Sequence, residues 1–136
     1  MNAEQVRSLR DYFGDLQYDT FVVAREHGFW LHAWQYGQYN NSILYEKLAL
    51  VHSELGEATE ELRKLTPNPT GEDGIPGPEY VYYRDDGKPE GFGMELADAV
   101  IRIMDIAAHC GIPLIDNILE KHEYNKTRPY MHGKSA

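Results

Sequence analysis

SILYEKLALVHSELGEATEELRKL, residues 42–65, is the stretch on which the fold turns. Its apolar residues Leu44, Leu48, Val51, Leu55, Ala58, Leu62 and Leu65 recur at alternating steps of four and three, the spacing of a helix with one buried stripe. Asn41 and Ser42 stand where an N-cap is wanted. Beside that stripe runs a second line, Ile43, Lys47, Leu50, Glu54, Glu57 and Glu61, which begins partly apolar and turns acidic partway along. Glu54 and Glu57 are three apart and therefore neighbours on one face. A face meant only for water would not usually open with isoleucine and leucine.

Downstream, residues 66–92 hold five of the seven prolines and many glycines, so the helix cannot continue. Within this segment EYVYYRDDGKPEG reads as a short hairpin, with Tyr80 to Tyr83 as one arm and Asp86-Gly87 as the turn. A third helix is expected from about Gly93 to His109, stopped by Gly111. From Met94 onward its strongly polar residues, Glu95, Asp98, Arg102, Asp105 and His109, fall on one stripe, and every other position is apolar. Such a helix needs cover on most of its circumference, which makes it a central member of a bundle. If its polar stripe faces the acidic line of the preceding helix, an ExxE and an ExxD pair converge on one space. Ile112-Pro113 opens a fourth helix that reaches roughly Lys126. Upstream, Glu4 to Phe13 and Leu16 to His27 read as one or two helices with Gly14 and Gly28 as stops, followed by the aromatic loop GFWLHAWQYGQYNN. The expected fold is all-α: residues 1–136 form a single domain, a four-to-five-helix bundle with a short hairpin-like insertion between the second and third core helices.

Each carboxylate pair alone is a common helical spacing, and a solvated face explains either one. Their convergence has an energetic consequence. Two unit charges about 5 Å apart at an effective dielectric near 20 repel by roughly 3 kcal/mol, and four carboxylates contain several such pairs. Without cations, some of them must take up protons or splay apart. Carboxylate oxygens are hard ligands, which makes Mg²⁺ or Mn²⁺ the natural counter-ion, with water and phosphate oxygens completing the shell.

KLALVHSELGEATEELRK, KPEGFGMELADAVIRIMDIAAHCGI and EKHEYNKTRPYMHGK, in that order, resemble the MazG-like all-α nucleoside triphosphate pyrophosphohydrolases over roughly residues 28–134. The resemblance implies that Glu54, Glu57, Glu95 and Asp98 bind Mg²⁺, and that a nucleoside triphosphate, ribo- or deoxyribo-, is cleaved between its α and β phosphates to the monophosphate and pyrophosphate. It places Lys121 and Asn125 of the last helix against phosphate and sugar. Residues 58–94, 37 in number, separate Glu57 from Glu95, more than is usual in that family, because of the Pro/Gly/Tyr-rich insertion. In the implied metal-assisted hydrolysis Glu54 is the choice for the carboxylate that takes the attacking water's proton. Lys126 and Arg128, which follow a helix end in an otherwise acidic chain, are further candidates for the phosphate tail. Trp34 is the aromatic residue chosen to contact the base.

The formal net charge of −9 argues against a general nucleic-acid binder. The one cysteine, Cys110, allows no internal disulfide, and the six histidines show no metal-binding spacing. The first residues, MNAEQVRSLRDYF, lack the apolar run of a signal peptide, and no stretch is apolar enough to span a bilayer. A cytoplasmic protein with no membrane partner is expected, assembled as a homodimer or homotetramer to cover the apolar third helix. A di-iron carboxylate bundle would need two Glu-x-x-His pairs, which are missing from both motifs. The competing reading from another class is a non-catalytic helical oligomerisation module whose acidic stripes are solvated faces.

Overall fold

The computed structural model describes residues 1–30, 41–64 and 80–129. Four helices account for most of them: α1 (Ala3–Glu26), α2 (Ser42–Arg63), α3 (Phe92–His109) and α4 (Leu114–Lys126), with a two-stranded hairpin, β1 (Tyr82–Tyr83) and β2 (Pro89–Glu90), ahead of α3. The mostly helical fold agrees with the expected all-α class.

Helix α1 is one helix, not two, and Gly14 does not stop it. An interior glycine costs only about 1 kcal/mol relative to alanine, and the inward stripe Phe13, Gln17, Thr20, Phe21 and Ala24 continues past it. The helix starts with a reciprocal capping box, in which Asn2 accepts from the Gln5 amide and the Gln5 side chain accepts from the Asn2 amide. Asn41 does occupy the N-cap of α2, but its side chain makes no cap bond. Pro113 sits one position earlier than expected, as the N-cap of α4.

The face that α2 buries is also a correction. Of the stripe assigned to the interior, Val51 and Ala58 are buried and Leu44 packs on the core, but Leu48, Leu55 and Leu62 are each more than two-fifths exposed, and Ile43, Lys47 and Glu54 of the neighbouring line are buried in their place. Helix α2 turns its partly acidic seam toward α3, with which it makes the most extensive helix pairing, and leaves the leucine edge outside. Helix α3 does the same: Asp105 is buried and Arg102 half-buried, while Leu96, Val100 and Ile103 face out. Helix α1 lies along α3, and α4 packs on α1 through an Arg10–Asp116 ion pair at 2.5 Å, while just ahead of α4 the Gln17 amide donates to Ile112 O at 3.0 Å.

A small core of Ala24, Trp30 and Ile43, flanked by Phe21, Leu44 and Ile106, ties the end of α1 to α2 and α3. Trp30 stacks nearly parallel on His109, with ring centroids 4.3 Å apart. At the other end of α3 the hairpin pairs Tyr82 with Glu90 and Tyr83 with Pro89, and is shorter than the expected arm from Tyr80. Tyr80 packs on Phe92 instead. Gly91 then turns the chain into α3 at a φ of 114°, where a Cβ would come 2.5 Å from Tyr80 O. Only glycine fits that approach, and Glu95 donates its amide to Gly91 O at 3.1 Å, so this junction fixes where the first carboxylate of α3 begins.

Candidate functional site

The seam between α2 and α3 carries the polar residues of both helices. Toward the start of α3, ligand-capable oxygens of Glu54, Glu95 and Asp98 all lie within 4.8 Å of one another. Glu57 reaches the same place and shares a hydrogen bond with Glu95, a bond that two carboxyl groups can make only when one of them holds a proton. Burial first, then Glu57 and the charges of Asp98 and Glu54, push the Glu95 carboxyl up to about 7. Asp98 is raised as well, by burial and then by Glu54, with Arg102 working in the opposite direction. Glu95 Oε2 is buried and has no hydrogen-bond partner. An all-oxygen donor set with an orphaned buried oxygen and strained ionisation fits a hard divalent cation.

One turn further along α3 the chemistry changes. Arg102 Nε donates to Glu54 Oε1 at 2.5 Å, so the inner carboxylate of α2 already has one cationic partner. Lys47 donates to Phe29 O and lies 4.9 Å from the centre of the Trp30 ring. Burial lowers its pKa, with Glu46 acting against that shift. Asp105 is nine-tenths buried, and burial raises its carboxyl while Thr20, Arg102 and Lys47 hold it down. These groups line a cavity of about 260 Å³ together with Phe29, Trp30, aliphatic side chains, and Glu54 and Asp98 of the carboxylate cluster.

Comparison with models of known protein families, with curated proteins and with solved structures yields no match.

Of the residues singled out in the sequence, Glu54, Glu57, Glu95 and Asp98 are brought together. Glu61, on the same line of α2, is not: Lys64 pairs with it at 3.0 Å, and the Tyr82 hydroxyl is shared between its two oxygens and Glu90. Lys121 and Asn125 line a different recess on α4, together with Asn117, Ile118 and His122. Lys126 pairs with Glu123 at 2.6 Å, and both Lys121 and Arg128 lie over the Tyr124 ring. Among the hydrogen bonds and ion pairs of the described residues, none joins α4 to the four carboxylates, because α4 packs on α1. Trp34 lies outside the described residues. Sequence reasoning gave no part to Lys47, Arg102 or Thr20. The signal for the first two was present: a lysine and an arginine stand on the same inward lines as the carboxylates, where a charge has to find a partner.

Proposed function

We propose that the chain is a Mg²⁺-dependent nucleoside triphosphate pyrophosphohydrolase that cleaves between the α and β phosphates to give the monophosphate and pyrophosphate. The observation that carries this reading is the approach of Glu54, Glu95 and Asp98 to within 4.8 Å, with Glu57 close enough to raise the Glu95 carboxyl. The resemblance to the MazG-like family supplies the substrate class and the bond cleaved.

Glu54, Glu57, Glu95 and Asp98 would hold the metal. When bound, Mg²⁺ (or Mn²⁺) supplies charge neutralisation for the phosphates and orients a water for in-line attack. Glu54 is the carboxylate assigned to take the water's proton, and its bond from Arg102 fixes its orientation. Among the described residues Arg102, bonded to Glu54, and Lys88, whose charge reaches Asp98, are the cations that act on the carboxylates, so these two are given the phosphate tail. The guanidinium of Arg102 can turn its remaining N–H groups to phosphate oxygens. The resemblance still assigns Lys121 and Asn125 to phosphate and sugar, with Lys126 and Arg128 nearby on the chain. No helix among the described residues is long and apolar enough to cross a membrane, and a cytoplasmic setting belongs to the same proposal.

The exposed edge of α2 and α3, Leu48, Leu55, Leu62, Leu96, Val100 and Ile103, supports a homodimer or homotetramer that covers it. That edge is also what favours the second reading, a helical oligomerisation module with no catalysis. One experiment separates the two. Purified protein with Mg²⁺ is given a panel of ribo- and deoxyribonucleoside triphosphates, and pyrophosphate and orthophosphate are assayed separately. Pyrophosphate release that disappears in Glu57→Gln and Asp98→Asn supports the hydrolase. Orthophosphate release contradicts the assigned bond. No turnover, with a melting temperature indifferent to Mg²⁺, leaves the module.

A further inference from the structure

The cavity beside the carboxylates contains a buried charge that the proposed hydrolysis does not use. Asp105 lines it and is nine-tenths buried, and its Oδ1 has no hydrogen-bond partner. Thr20, whose hydroxyl lies against the carboxyl and helps hold it down, has one proton and also reaches Gln17 O with it at 3.0 Å, so it leaves Oδ1 unserved. Buried polar atoms without a partner are rare in folded proteins, and each calls for an explanation, a functional role or a bound group among them. Arg102 and Lys47 stand on the same cavity and favour the ionised carboxylate, although burial opposes it. The oxygen of a carboxyl group that carries no proton only accepts hydrogen bonds, so a donor is the group that suits Asp105 Oδ1.

Three further features define that group. Phe29 and Trp30 line the cavity, with Lys47 and Arg102 over the Phe29 ring and Lys47 4.9 Å from the centre of the Trp30 ring. Its volume, about 260 Å³, falls just below the range of roughly 300–1,000 Å³ that houses drug-sized ligands, which suits one ring system and not a whole nucleotide. Asp105 follows Asp98 by seven residues on the same stripe, two helical turns or about 10.5 Å along the axis. That is comparable with the reach from the α-phosphate of a nucleotide, across the sugar, to the far edge of its base.

We propose that this cavity is a nucleobase pocket in which Asp105 selects a base that carries an exocyclic amine, as cytosine, adenine and guanine do, over uracil, which carries none. The inference rests on the nucleotide-hydrolase reading for the placement of the phosphates. The amine of cytosine donates to Asp105 Oδ1. Uracil presents O4 at that position, and its N3–H is flanked by two carbonyl oxygens that a carboxylate repels. The aromatic side chains accept either ring, so discrimination falls to the carboxylate.

Titration of the wild-type chain with CMP and with UMP, in EDTA and followed by calorimetry, tests the pocket without hydrolysis. CMP should bind at least about tenfold more tightly, the effect of one hydrogen bond to a charged group. Equal affinities, tighter UMP, or no binding of either at millimolar concentration overturns the proposal. Asp105→Asn offers an amide donor to O4 and should bring the CMP to UMP affinity ratio to about one or below. A folded Asp105→Asn protein that keeps the wild-type ratio overturns it too, and if that variant does not fold, the wild-type ratio decides. The same panel with Mg²⁺ separates the two claims. CMP selectivity with no turnover of any triphosphate refutes the hydrolase and leaves the pocket, whereas equal turnover of CTP and UTP refutes the pocket and leaves the hydrolase.

Discussion

The first two polar residues of α3, Glu95 and Asp98, face other carboxylates, whereas the last three, Arg102, Asp105 and His109, face a carboxylate, a hydroxyl and an indole. Both groups lie on one stripe of one helix. In the first half the charges crowd with like charges, and a carboxyl is driven up to about 7. In the second half Arg102 is matched with Glu54, and the remaining polar groups edge an aromatic cavity. The contrast teaches that burial alone does not make a site. What separates the two ends is whether the protein supplies the opposite charge itself or leaves it to a ligand.

The largest effect should come from removing a member of the crowded half. Asp98→Asn and Glu95→Gln are each expected to drop pyrophosphate release to background. In the metal-free state Glu95→Gln should stabilise the chain by on the order of 1 kcal/mol, since it relieves repulsion that solvent only partly screens. Denaturant melts in EDTA measure this. A variant that is both inactive and less stable without metal would mean that Glu95 is there for structure.

The paired half should respond in the opposite sense. Arg102→Met leaves Glu54, 7% exposed, without its cation. Breaking a fully buried pair costs about 3–5 kcal/mol, and with Arg102 partly exposed a loss of roughly 2–3 kcal/mol is expected in EDTA. Mg²⁺ should restore part of that loss by taking the place of the guanidinium beside Glu54. If Mg²⁺ stabilises the wild type and Arg102→Met equally, the two halves do not share Glu54 and the comparison breaks.

A pH series reads the crowded half directly. Glu95 has a carboxyl raised from 4.5 to about 7, so between those values the folded chain binds more protons than the unfolded one. The stability this supplies is fully present below about 4.5 and is lost as pH rises through about 7. His109, lowered from 6.5 by burial, acts in the other direction as pH falls below that value. The clean window therefore lies above 6.5. Metal-free protein should melt lower at about pH 8 than at about pH 6.5, and saturating Mg²⁺ should narrow the difference. Glu95→Gln should remove most of it.

The helices and the convergence of the carboxylates were legible in the sequence, because periodicity fixes which residues share a face and the polar stripe of α3 has no other polar surface to meet. The choice of face on α2 was not. Leu48, Leu55 and Leu62 form as regular a line as Ile43, Leu50 and Glu54, and only the tertiary pairing with α3 determines which is covered. Gly14 misled because a glycine in an exposed helix is tolerated wherever the apolar line continues across it. The separation of Lys121 and Asn125 from the carboxylates was equally invisible, since their spacing says what they can reach along α4 and nothing about which helix α4 packs on. The cavity needed three elements at once, Thr20 of α1, Lys47 of α2 and Asp105 of α3, together with the turn at Phe29 and Trp30.

The smallest expected effect concerns the boundary of the crowded half. Glu61 continues the line of Glu54 and Glu57, yet Lys64 and the Tyr82 hydroxyl engage it, and through Tyr82 the hairpin is tied to the end of α2. Tyr82→Phe removes that hydroxyl and keeps the ring. Because the contact is open to solvent, only a small drop in melting temperature is expected, and the Mg²⁺ concentration that half-stabilises the chain should not move. An increase in Mg²⁺ affinity in Tyr82→Phe would show that the hydroxyl holds Glu61 back from the cluster, which would then contain five carboxylates. Glu61→Gln gives the complementary reading: if Glu61 lies outside the site, it should leave the Mg²⁺ response and pyrophosphate release as they are, in contrast to Glu57→Gln one turn earlier on the same face.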